Sequence, residues 1–238
     1  MSKILIMSPV YNEKETISNF IDKLQKVSKE NNYDFIIIDD GSTDGSIDVI
    51  KEKGIIYIKH EKRQGVGKGI IDAIDYGINE GYDILVVMAS NGKDNPEEIR
   101  RLVHAIEDYD YDFVQGSRYL KGGSTEGTPW TRKLSTRVFT LGWNLITWYW
   151  MKDASNGFRA YKLSIFDNKN IKYHQQWLHK YSFEYYLLFK VFQLKYKIKE
   201  IPVSKNYPRK KKYTHIVPII DWVKMGWTIV SLRMGWKR

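Results

Sequence analysis

The sequence predicts an α/β fold in which a Rossmann-like mixed, mainly parallel sheet is flanked by helices and followed by an amphipathic C-terminal segment. Apolar runs of strand length alternate with segments of helical period through the first half of the chain, as expected for strands joined by crossover helices. Polar loops follow several of these strands directly, which is where an open α/β sheet binds its ligands. The chain has 238 residues, 42% of them hydrophobic, which is enough to build one large domain around an ample core.

The first predicted unit spans a strand, a loop, a helix and a second strand. Residues 4–7 are apolar and predict a strand, and residues 8–13 form the loop that leaves it. Residues 16–28 predict a helix because apolar side chains recur at intervals of three and four positions. These side chains are Ile17, Phe20, Ile21, Leu24 and Val27. With a second strand over 36–38, the unit is half of a nucleotide-binding fold.

The turn after the second strand carries three carboxylates, Asp39, Asp40 and Asp44. Ser42 or Thr43 in this turn could simply cap the next helix, because hydroxyl side chains accept hydrogen bonds from free backbone N–H groups. Capping does not explain a charged Asp39 directly after three isoleucines, since burying an unpaired charge is costly. We therefore favour a ligand site at the end of this strand.

Two further strands, predicted over 55–58 and 84–88, lead into loops that extend the same edge of the sheet. The loop over 60–69 is basic and rich in glycine, and it runs into a helix predicted over 70–78. In this geometry backbone N–H groups and lysine side chains can approach a phosphate. The loop over 89–96 follows the fourth strand and is equally polar.

Two motifs resemble those of the family 2 glycosyltransferases: Pro-Val-Tyr-Asn-Glu at 9–13 and Ile-Ile-Asp-Asp-Gly-Ser-Thr-Asp-Gly at 37–45. The resemblance implies the GT-A fold and a nucleotide-sugar donor. It also implies that Asp39 or Asp40 hydrogen-bonds the base of the nucleotide. The other residues that it assigns to the nucleotide are Pro9, Tyr11, Glu13, Arg63 and Lys68.

The chain departs from most family members at Ala89, Ser90 and Asn91, where they carry Asp-X-Asp. Carboxylates at those positions hold Mg²⁺ or Mn²⁺ against the donor diphosphate. Asn91 and Asp94 could form a weakened site for such a divalent cation, with Ser90, Asn91 and Lys93 contacting the donor. Alternatively, Lys93 supplies the positive charge in the place of the metal, or the chain binds a nucleotide sugar without catalysis.

The second half of the chain, from a strand predicted over 113–115 through 153–161, resembles the dolichyl-phosphate mannose synthase and polyprenyl-phosphate glycosyltransferase branch of the family. A lipid phosphate acceptor already carries an anionic oxygen, so it requires arginine to clamp it rather than a general base. The candidates for this clamp are Arg118, Arg132 and Arg137, with Thr136 where relatives often have serine.

A hydroxyl acceptor would instead require a carboxylate to take its proton, and Glu184 and Asp153 are the candidates for this catalytic role. Each has a structural alternative. Glu184 favours the start of a helix predicted over 185–193, and Asp153 caps a turn or braces Arg159. The acceptor class therefore stays open between a lipid phosphate and a sugar hydroxyl.

The last part of the chain combines basic and aromatic residues. The net charge is +10, and a basic loop over 206–215 follows a strand predicted over 198–203; it could close over both substrates, with Arg209 meeting a diphosphate. All eight tryptophans lie after residue 129, and tryptophan is enriched where an apolar surface meets water. Such basic and aromatic segments are typical of contact with an anionic membrane.

Residues 216–235 form an apolar segment interrupted by a narrow polar stripe. The stripe consists of Asp221, Lys224, Thr228 and Ser231. Because no uninterrupted apolar run approaches the roughly 20 residues that a spanning helix needs, we expect this segment to lie on a membrane surface rather than cross it. The alternative is a helix that packs on its own domain.

Other features limit the cellular context and the partners. The chain has no cysteine, which excludes disulfides and cysteine-based metal sites. It starts almost at once with a strand and shows no secretory leader, so we expect a cytoplasmic protein peripherally associated with the membrane. We expect no nucleic-acid partner, because recognised nucleic-acid motifs are missing from the sequence and its acidic turns would repel a phosphate backbone.

We predict a GT-A domain over residues 1–205, with a nucleotide-sugar half at 1–115 and an acceptor half at 116–205. Residues 206–238 add the basic loop and the amphipathic helix. The predicted activity is inverting transfer of a hexose from a GDP- or UDP-sugar to a polyprenyl phosphate at the membrane surface. The alternatives are a transferase with a saccharide or other hydroxyl acceptor and a non-catalytic nucleotide-sugar-binding module.

Overall fold

The structure is a computed structural model that describes residues 2–207 and 220–237. Its strands are β1 (Ile4–Val10), β2 (Asp34–Asp39), β3 (Tyr57–Lys59), β4 (Ile84–Val87), β5 (Phe113–Ser117), β6 (Arg159–Lys162) and β7 (Ile198–Pro202). Its α-helices are α1 (Lys14–Asn31), α2 (Ser46–Glu52), α3 (Val66–Asn79), α4 (Ile99–Glu107), α5 (Trp130–Thr147), α6 (Ser182–Gln193) and α7 (Ile220–Arg233). The predicted strands and helices of the first half are all present; most are longer than predicted, whereas β3 and β4 are each one residue shorter than the predicted strands over 55–58 and 84–88.

The seven strands form one sheet in the order β3-β2-β1-β4-β6-β5-β7. Neighbouring strands are parallel except at β6, which runs antiparallel to both β4 and β5. This confirms the predicted mixed, mainly parallel sheet. The sequence did not predict β6, because its four residues, Arg-Ala-Tyr-Lys, form no apolar run that would mark a strand.

Helices cover both faces of the sheet, and each face has its own apolar cluster. Leu5 and Met7 of β1 belong to the cluster beneath α3 and α6. Ile4 and Ile6 of the same strand belong to the cluster beneath α1 and α4. Burial on both faces explains why the strands of the first half are continuous apolar runs rather than alternating ones.

Helix α7 packs against α5 and α6. Ile229 and Leu232 join the core, and Thr228 and Ser231 are buried as well. The hydroxyl of Thr228 lies 3.2 Å from that of Ser182 on α6. Two members of the predicted polar stripe therefore face the protein, because a hydroxyl that finds a partner can be buried at little cost.

Among residues 226–237, the large exposed apolar side chains are Trp227, Met234 and Trp236. Within the described residues, no helix has both the length and the apolar character needed to cross a bilayer. Residues 208–219, with Arg209 and most of the predicted basic loop, lie outside the described residues. The division of the chain at residues 115 and 205 stays a prediction.

Candidate active site

A cavity of ≈ 730 Å³ opens where β1, β2 and β4 end, at the predicted ligand edge of the sheet. The loops that follow these strands supply one wall, and residues from α5, α6 and α7 and the segment after β7 supply the others. The predicted site residues that line this cavity are Pro9, Tyr11, Glu13, Asp40, Arg63, Ser90, Asn91, Lys93 and Arg132. The fold thus brings together side chains separated by more than a hundred positions in the sequence.

The loop after β1 forms the wall nearest the glycine-rich loop. The guanidinium of Arg63 lies 4.2 Å from the centre of the Tyr11 ring, which is a cation–π contact. The hydroxyl of Ser90 donates a hydrogen bond to the carbonyl of Pro9 at 2.7 Å and ties the loops after β4 and β1 together. Glu13 accepts a hydrogen bond from Thr16 at 2.9 Å.

The two adjacent aspartates at the end of β2 have different surroundings. Asp39 is fully buried and does not line the cavity, and each of its carboxylate oxygens lies 3.3 Å from the backbone N–H of Ser42. Asp40 does line the cavity, but its oxygens accept hydrogen bonds from the backbone N–H groups of Gln64, at 2.7 Å, and Gly65, at 2.9 Å. Asp40 therefore holds the glycine-rich loop in place, and a bond from either aspartate to a base stays a prediction.

His60 links Asp40 to helix α3. Its Nδ1 lies 2.9 Å from Asp40 and its Nε2 lies 2.8 Å from Asp72. Hydrogen bonds to the carboxylates of Asp40 and then Asp72 raise the pKa of His60 to about 9, so its ring is charged at neutral pH and donates from both nitrogens. Lys68 pairs with Asp72 on the same helix, and it does not line the cavity.

The loop after β4, where most relatives carry Asp-X-Asp, is held against the segment that follows β7. Asp94 and Lys205 form an antiparallel bridge, and the backbone N–H of Asn206 donates to the carbonyl of Lys93 at 2.9 Å. The Lys205 ammonium lies 2.8 Å from Asp94 and 2.9 Å from the amide oxygen of Asn156. The predicted metal ligand Asp94 is therefore already paired with a lysine.

Lys93 is almost buried, yet it lines the cavity. Burial, followed by the nearby charges of Lys205 and Arg132, lowers the pKa of Lys93 to about 7. The ring of Tyr207 stands between two of these cations: its centre is 5.3 Å from the Lys93 ammonium and 5.2 Å from the Arg132 guanidinium. Basic side chains thus converge on the part of the cavity where the family places its metal.

Arg118, predicted to clamp an acceptor phosphate, is buried against Asp153 instead of lining the cavity. Its Nε and Nη2 lie 2.6 Å and 2.8 Å from the two carboxylate oxygens of Asp153. Burial raises the pKa of Asp153, but the hydrogen bond and charge of Arg118 outweigh this effect and leave the pKa below its ordinary value. Of its two structural alternatives, Asp153 caps a turn, since its Oδ1 accepts a hydrogen bond from the backbone N–H of Ser155 at 3.3 Å, and its ion pair is with Arg118 rather than Arg159.

The remaining predicted acceptor residues lie on α5 and α6, outside the cavity lining. The buried hydroxyl of Thr136 lies 2.6 Å from the hydroxyl of Tyr119. Arg137 is exposed, and its guanidinium lies 5.2 Å from the centre of the Tyr119 ring. Glu184 is in the first turn of α6, as its structural alternative requires. Catalytic roles for Asp153 and Glu184 stay predictions, and neither residue lines the cavity.

Several cavity residues were not predicted from the sequence. They are Trp177, Lys180, Tyr181, Ser182, Lys205, Tyr207, Trp227, Thr228 and Lys237, together with Gln64, Gly65 and Val66 at the glycine-rich loop. Most come from the C-terminal third of the chain and reach the site through packing of α6 and α7. Lys205 directly precedes the basic loop over 206–215, and this cluster of charge was the sequence feature that could have indicated its place in the site. Its pairing with Asp94 could not be predicted, because the two residues are far apart in the sequence.

Comparison with known proteins gives the class. Residues 5–168 match the family described as glycosyl transferase family 2, which is more than half of the chain. The chain therefore belongs to glycosyl transferase family 2, and it is a glycosyltransferase. The predicted family and enzyme class are confirmed.

Two relatives indicate the branch of the family that this chain resembles. A polyprenol monophosphomannose synthase of Mycolicibacterium smegmatis is 26% identical over 216 residues, covering 85% of this chain and 77% of that protein. A UDP-N-acetylglucosamine–dolichyl-phosphate N-acetylglucosaminyltransferase of Methanococcus voltae is 31% identical over 183 residues, covering 68% of this chain and 70% of that protein. The predicted resemblance to the polyprenyl-phosphate branch is confirmed.

A solved structure supports the fold. Glucosyl-3-phosphoglycerate synthase of Mycobacterium tuberculosis, crystallised with Mn²⁺, UDP and phosphoglyceric acid, matches with a TM-score of 0.68. The match covers 98% of this chain and 79% of that chain at 16% sequence identity. At that identity the likeness establishes the GT-A fold alone.

The residues present do not fit a divalent cation of the kind crystallised with that synthase. Ala89 and Ser90 offer no carboxylate, and Asn91 offers one amide oxygen, whereas Mg²⁺ and Mn²⁺ prefer several hard oxygen ligands. Asp94 is occupied by Lys205 and by the backbone N–H of Ala89. Across residues 2–207 and 220–237, no group of three or more acidic or histidine side chains is arranged to hold a metal.

Proposed function

We propose that this glycosyltransferase moves a hexose from a UDP- or GDP-sugar to a polyprenyl phosphate at the cytoplasmic surface of a membrane, with inversion at the anomeric carbon. The relatives in Mycolicibacterium smegmatis and Methanococcus voltae support this acceptor, because one is a polyprenol monophosphomannose synthase and the other a dolichyl-phosphate N-acetylglucosaminyltransferase. The cavity at the carboxyl edge of the sheet supports the donor class, since this edge is where nucleotides bind in α/β folds.

One observation carries the choice of a lipid acceptor: α5 has an exposed apolar face that begins beside the cavity. Its members recur at intervals of three and four positions and are each more than half exposed. They are Trp130, Leu134, Val138, Leu141, Leu145 and Trp148. We call these six residues the α5 stripe. Such a contiguous apolar patch on a soluble surface is typical of contact with lipid or with another protein.

The position of Arg132 connects this stripe to the chemistry. Arg132 lies in the first turn of α5 and lines the cavity, whereas the stripe runs away from it along the same helix. Arg132 follows Trp130 by two positions and therefore lies on the opposite side of α5 from the stripe, so the hydrocarbon chain of a lipid phosphate bound by Arg132 would reach the stripe around the N-terminal end of the helix. A soluble saccharide would make no use of this apolar face, so the arrangement favours a polyprenyl phosphate.

The proposed step is a single in-line displacement. An anionic oxygen of the acceptor phosphate donates an electron pair to the anomeric carbon, and the bond from that carbon to the donor diphosphate breaks. The leaving nucleoside diphosphate keeps the bonding pair, so basic side chains in the cavity stabilise its developing charge. Because the acceptor oxygen carries no proton, the step requires no general base, in keeping with the lining of the cavity, which includes neither Asp153 nor Glu184.

A transfer assay tests this function. The protein in detergent is given labelled UDP- and GDP-hexoses with either a polyprenyl phosphate or a panel of soluble saccharides. We expect product only with the lipid phosphate. Transfer to a saccharide and not to the lipid would show a hydroxyl acceptor, and tight nucleotide binding without any turnover would show a non-catalytic module.

A further inference from the structure

We propose that Lys93, Lys205 and Arg132 bind the diphosphate of the nucleotide sugar and take the place of the divalent cation, so that transfer proceeds without a metal. The inference deepens the proposed function, because it concerns the donor of that reaction. It starts from the misfit between the loop after β4 and a metal, and from the cations that occupy the same place.

The first support is the way the fold delivers Lys205 to this loop. The short bridge between Asp94 and Lys205, with the hydrogen bond from Asn206 to Lys93, fixes the segment after β7 directly against the altered motif. The lysine ammonium is held between Asp94, at 2.8 Å, and Asn156, at 2.9 Å, and it lines the cavity. A preorganised ammonium needs little rearrangement to stabilise an anion.

The second support is the arrangement of Lys93 and Arg132 around Tyr207. The ring centre lies 5.3 Å from one cation and 5.2 Å from the other, and both cations line the cavity. The backbone of Tyr207 is fixed by a hydrogen bond from its N–H to the carbonyl of Glu126 at 2.9 Å. The ring therefore acts as a rigid spacer that keeps two positive groups on the same wall.

The third support is the balance of charge. Three basic side chains meet in this part of the cavity, where burial and mutual repulsion lower the pKa of Lys93 to about 7. The carboxylates that act on Lys93 are Asp94, which is already paired with Lys205, and Glu13, which also lines the cavity. Among the described residues, Arg132 Nε is buried and has no hydrogen-bond partner. Like charges held together in a poorly hydrated site repel one another until an anion arrives, and a diphosphate supplies two negative groups.

The usual metal site and this one are therefore electrostatic inverses. In Asp-X-Asp enzymes, carboxylates hold a cation, and the cation holds the diphosphate. Here Ala89, Ser90 and Asn91 remove the carboxylates, and side-chain cations contact the diphosphate directly. Lysine and arginine are established phosphate ligands, arginine through its paired N–H donors and lysine as a point charge.

The first test measures binding of UDP and GDP by calorimetry in EDTA and again with excess Mn²⁺ or Mg²⁺. We expect the nucleotide that binds to do so with affinities that agree within about twofold, or about 0.4 kcal/mol, in the two conditions. A loss of affinity of tenfold or more in EDTA would overturn the inference and leave the proposed function standing. Failure of both nucleotides to bind to folded protein under either condition would refute the proposed function as well.

The second test separates diphosphate binding from folding. Lys93→Gln and Lys205→Gln are compared with Lys190→Gln, a nearly buried lysine on α6 that does not line the cavity. For each variant the affinity is measured for the nucleoside diphosphate and for the matching nucleoside. We expect both site variants to weaken diphosphate binding at least tenfold and to leave nucleoside binding within about twofold, while Lys190→Gln changes neither.

The ratio of the two affinities decides between a binding role and a merely structural one. Equal losses for nucleoside and diphosphate in both site variants would mean that the lysines only support the loop, and the inference would fail. Lys205→Arg provides a check that charge is what matters, because it keeps the cation beside Asp94 and should retain the preference for diphosphate. Loss of that preference in the arginine variant would also contradict the proposal.

Discussion

The buried pair of Arg118 and Asp153 shows how a motif residue can be structural in this chain. Both side chains are almost inaccessible, and the two groups make paired charge-assisted hydrogen bonds across the end of β5. The Arg118 guanidinium also reaches toward the hydroxyl of Tyr207, at 3.5 Å, and so supports the ring between the cavity cations. Because Arg132 lines the cavity and Arg118 does not, we expect Arg118 to position its neighbours, and contact of Arg132 with substrate stays a prediction.

Breaking this pair should be costly. Asp153→Asn leaves the Arg118 charge buried without its counterion, so we expect the free energy of unfolding to fall by about 3–5 kcal/mol in urea titrations. Asp22→Asn, which breaks an exposed pair with Lys53, is the control and should cost about 1 kcal/mol or less. A similar small effect for Asp153→Asn would contradict the structural role assigned to the pair.

His60 predicts a pH dependence of stability. Asp40 and Asp72 raise the pKa of His60 to about 9, and Lys68 also contacts the Asp72 carboxylate. In the unfolded chain the pKa of His60 is about 6.5. Stabilisation by the charged ring is therefore complete below pH about 6.5 and is lost as the pH rises through about 9. In urea titrations, the advantage of the wild type over His60→Gln should shrink across this window.

The control for this experiment is His104→Gln, which removes an exposed histidine on α4. Because its ion pair with Asp108 is exposed, this variant should stay within about 1 kcal/mol of the wild type in the same titrations. A constant difference for His60→Gln would show that the charged ring does not stabilise the folded state.

At the scale of elements, the loops after the strands and the C-terminal helices were predictable to different degrees. The turn after β2 and the loop after β4 could be placed from sequence because each directly follows an apolar run. The wall built by Trp177, Lys180 and α7 could not, because its position depends on how helices pack over long sequence separations. The burial of Thr228 was missed for the same reason, since a hydroxyl stripe reads as polar until its partner is known.

Close packing of α3 against this wall gives a prediction. Gly67 is in the first turn of α3, and an added Cβ would lie 2.0 Å from the carbonyl oxygen of Leu178 and 2.3 Å from that of Lys180. Both contacts are with backbone, so Gly67→Ala must displace the segment that carries Lys180 into the cavity. We expect a loss of about 1–3 kcal/mol in the free energy of unfolding and weaker nucleotide binding.

Gly142→Ala is the matched control. Gly142 lies within α5, and its added Cβ would meet no atom within 4 Å. Alanine is the better helix former, so this substitution should raise the free energy of unfolding by up to about 1 kcal/mol without changing nucleotide affinity. Equal behaviour of the two variants in thermal and urea unfolding would refute the packing argument at Gly67.

At the scale of the whole molecule, the net charge of +10 and the apolar surfaces of α5 and α7 favour the same partner. The α5 stripe lies along α5, and the exposed Trp227, Met234 and Trp236 lie on α7 or directly after it; the two helices pack together. The sequence indicated a membrane surface from the tail and from the position of its tryptophans, and the structure adds the α5 stripe. Membrane binding itself stays a prediction.

Binding to lipid vesicles tests it. Val138→Asp places a charge in the middle of the α5 stripe, and Ile56→Asp places one at an equally exposed apolar residue beside β3. Because burying a carboxylate among lipid tails is unfavourable, Val138→Asp should weaken co-sedimentation with anionic vesicles at least tenfold, and Ile56→Asp should have little effect. Binding should also weaken with added salt, since screening reduces attraction between the basic protein and anionic lipid.

Equal binding by the two variants would exclude the α5 stripe as the membrane contact. In that case the acceptor assay would decide whether the lipid reaches Arg132 from another side. The vesicle and transfer experiments therefore test separate parts of the proposed function.

The antiparallel strand β6 has a consequence for how the molecule moves. Strand β6 is hydrogen-bonded to β4 on one side and to β5 on the other. The sheet is therefore continuous between the strands whose loops line the cavity and the strand that precedes α5. The two sides of the cavity cannot move apart as rigid bodies without breaking backbone hydrogen bonds in the middle of the sheet. Substrate entry and product escape must then depend on rearrangements at the rim, and turnover should be governed by the segments that border the opening.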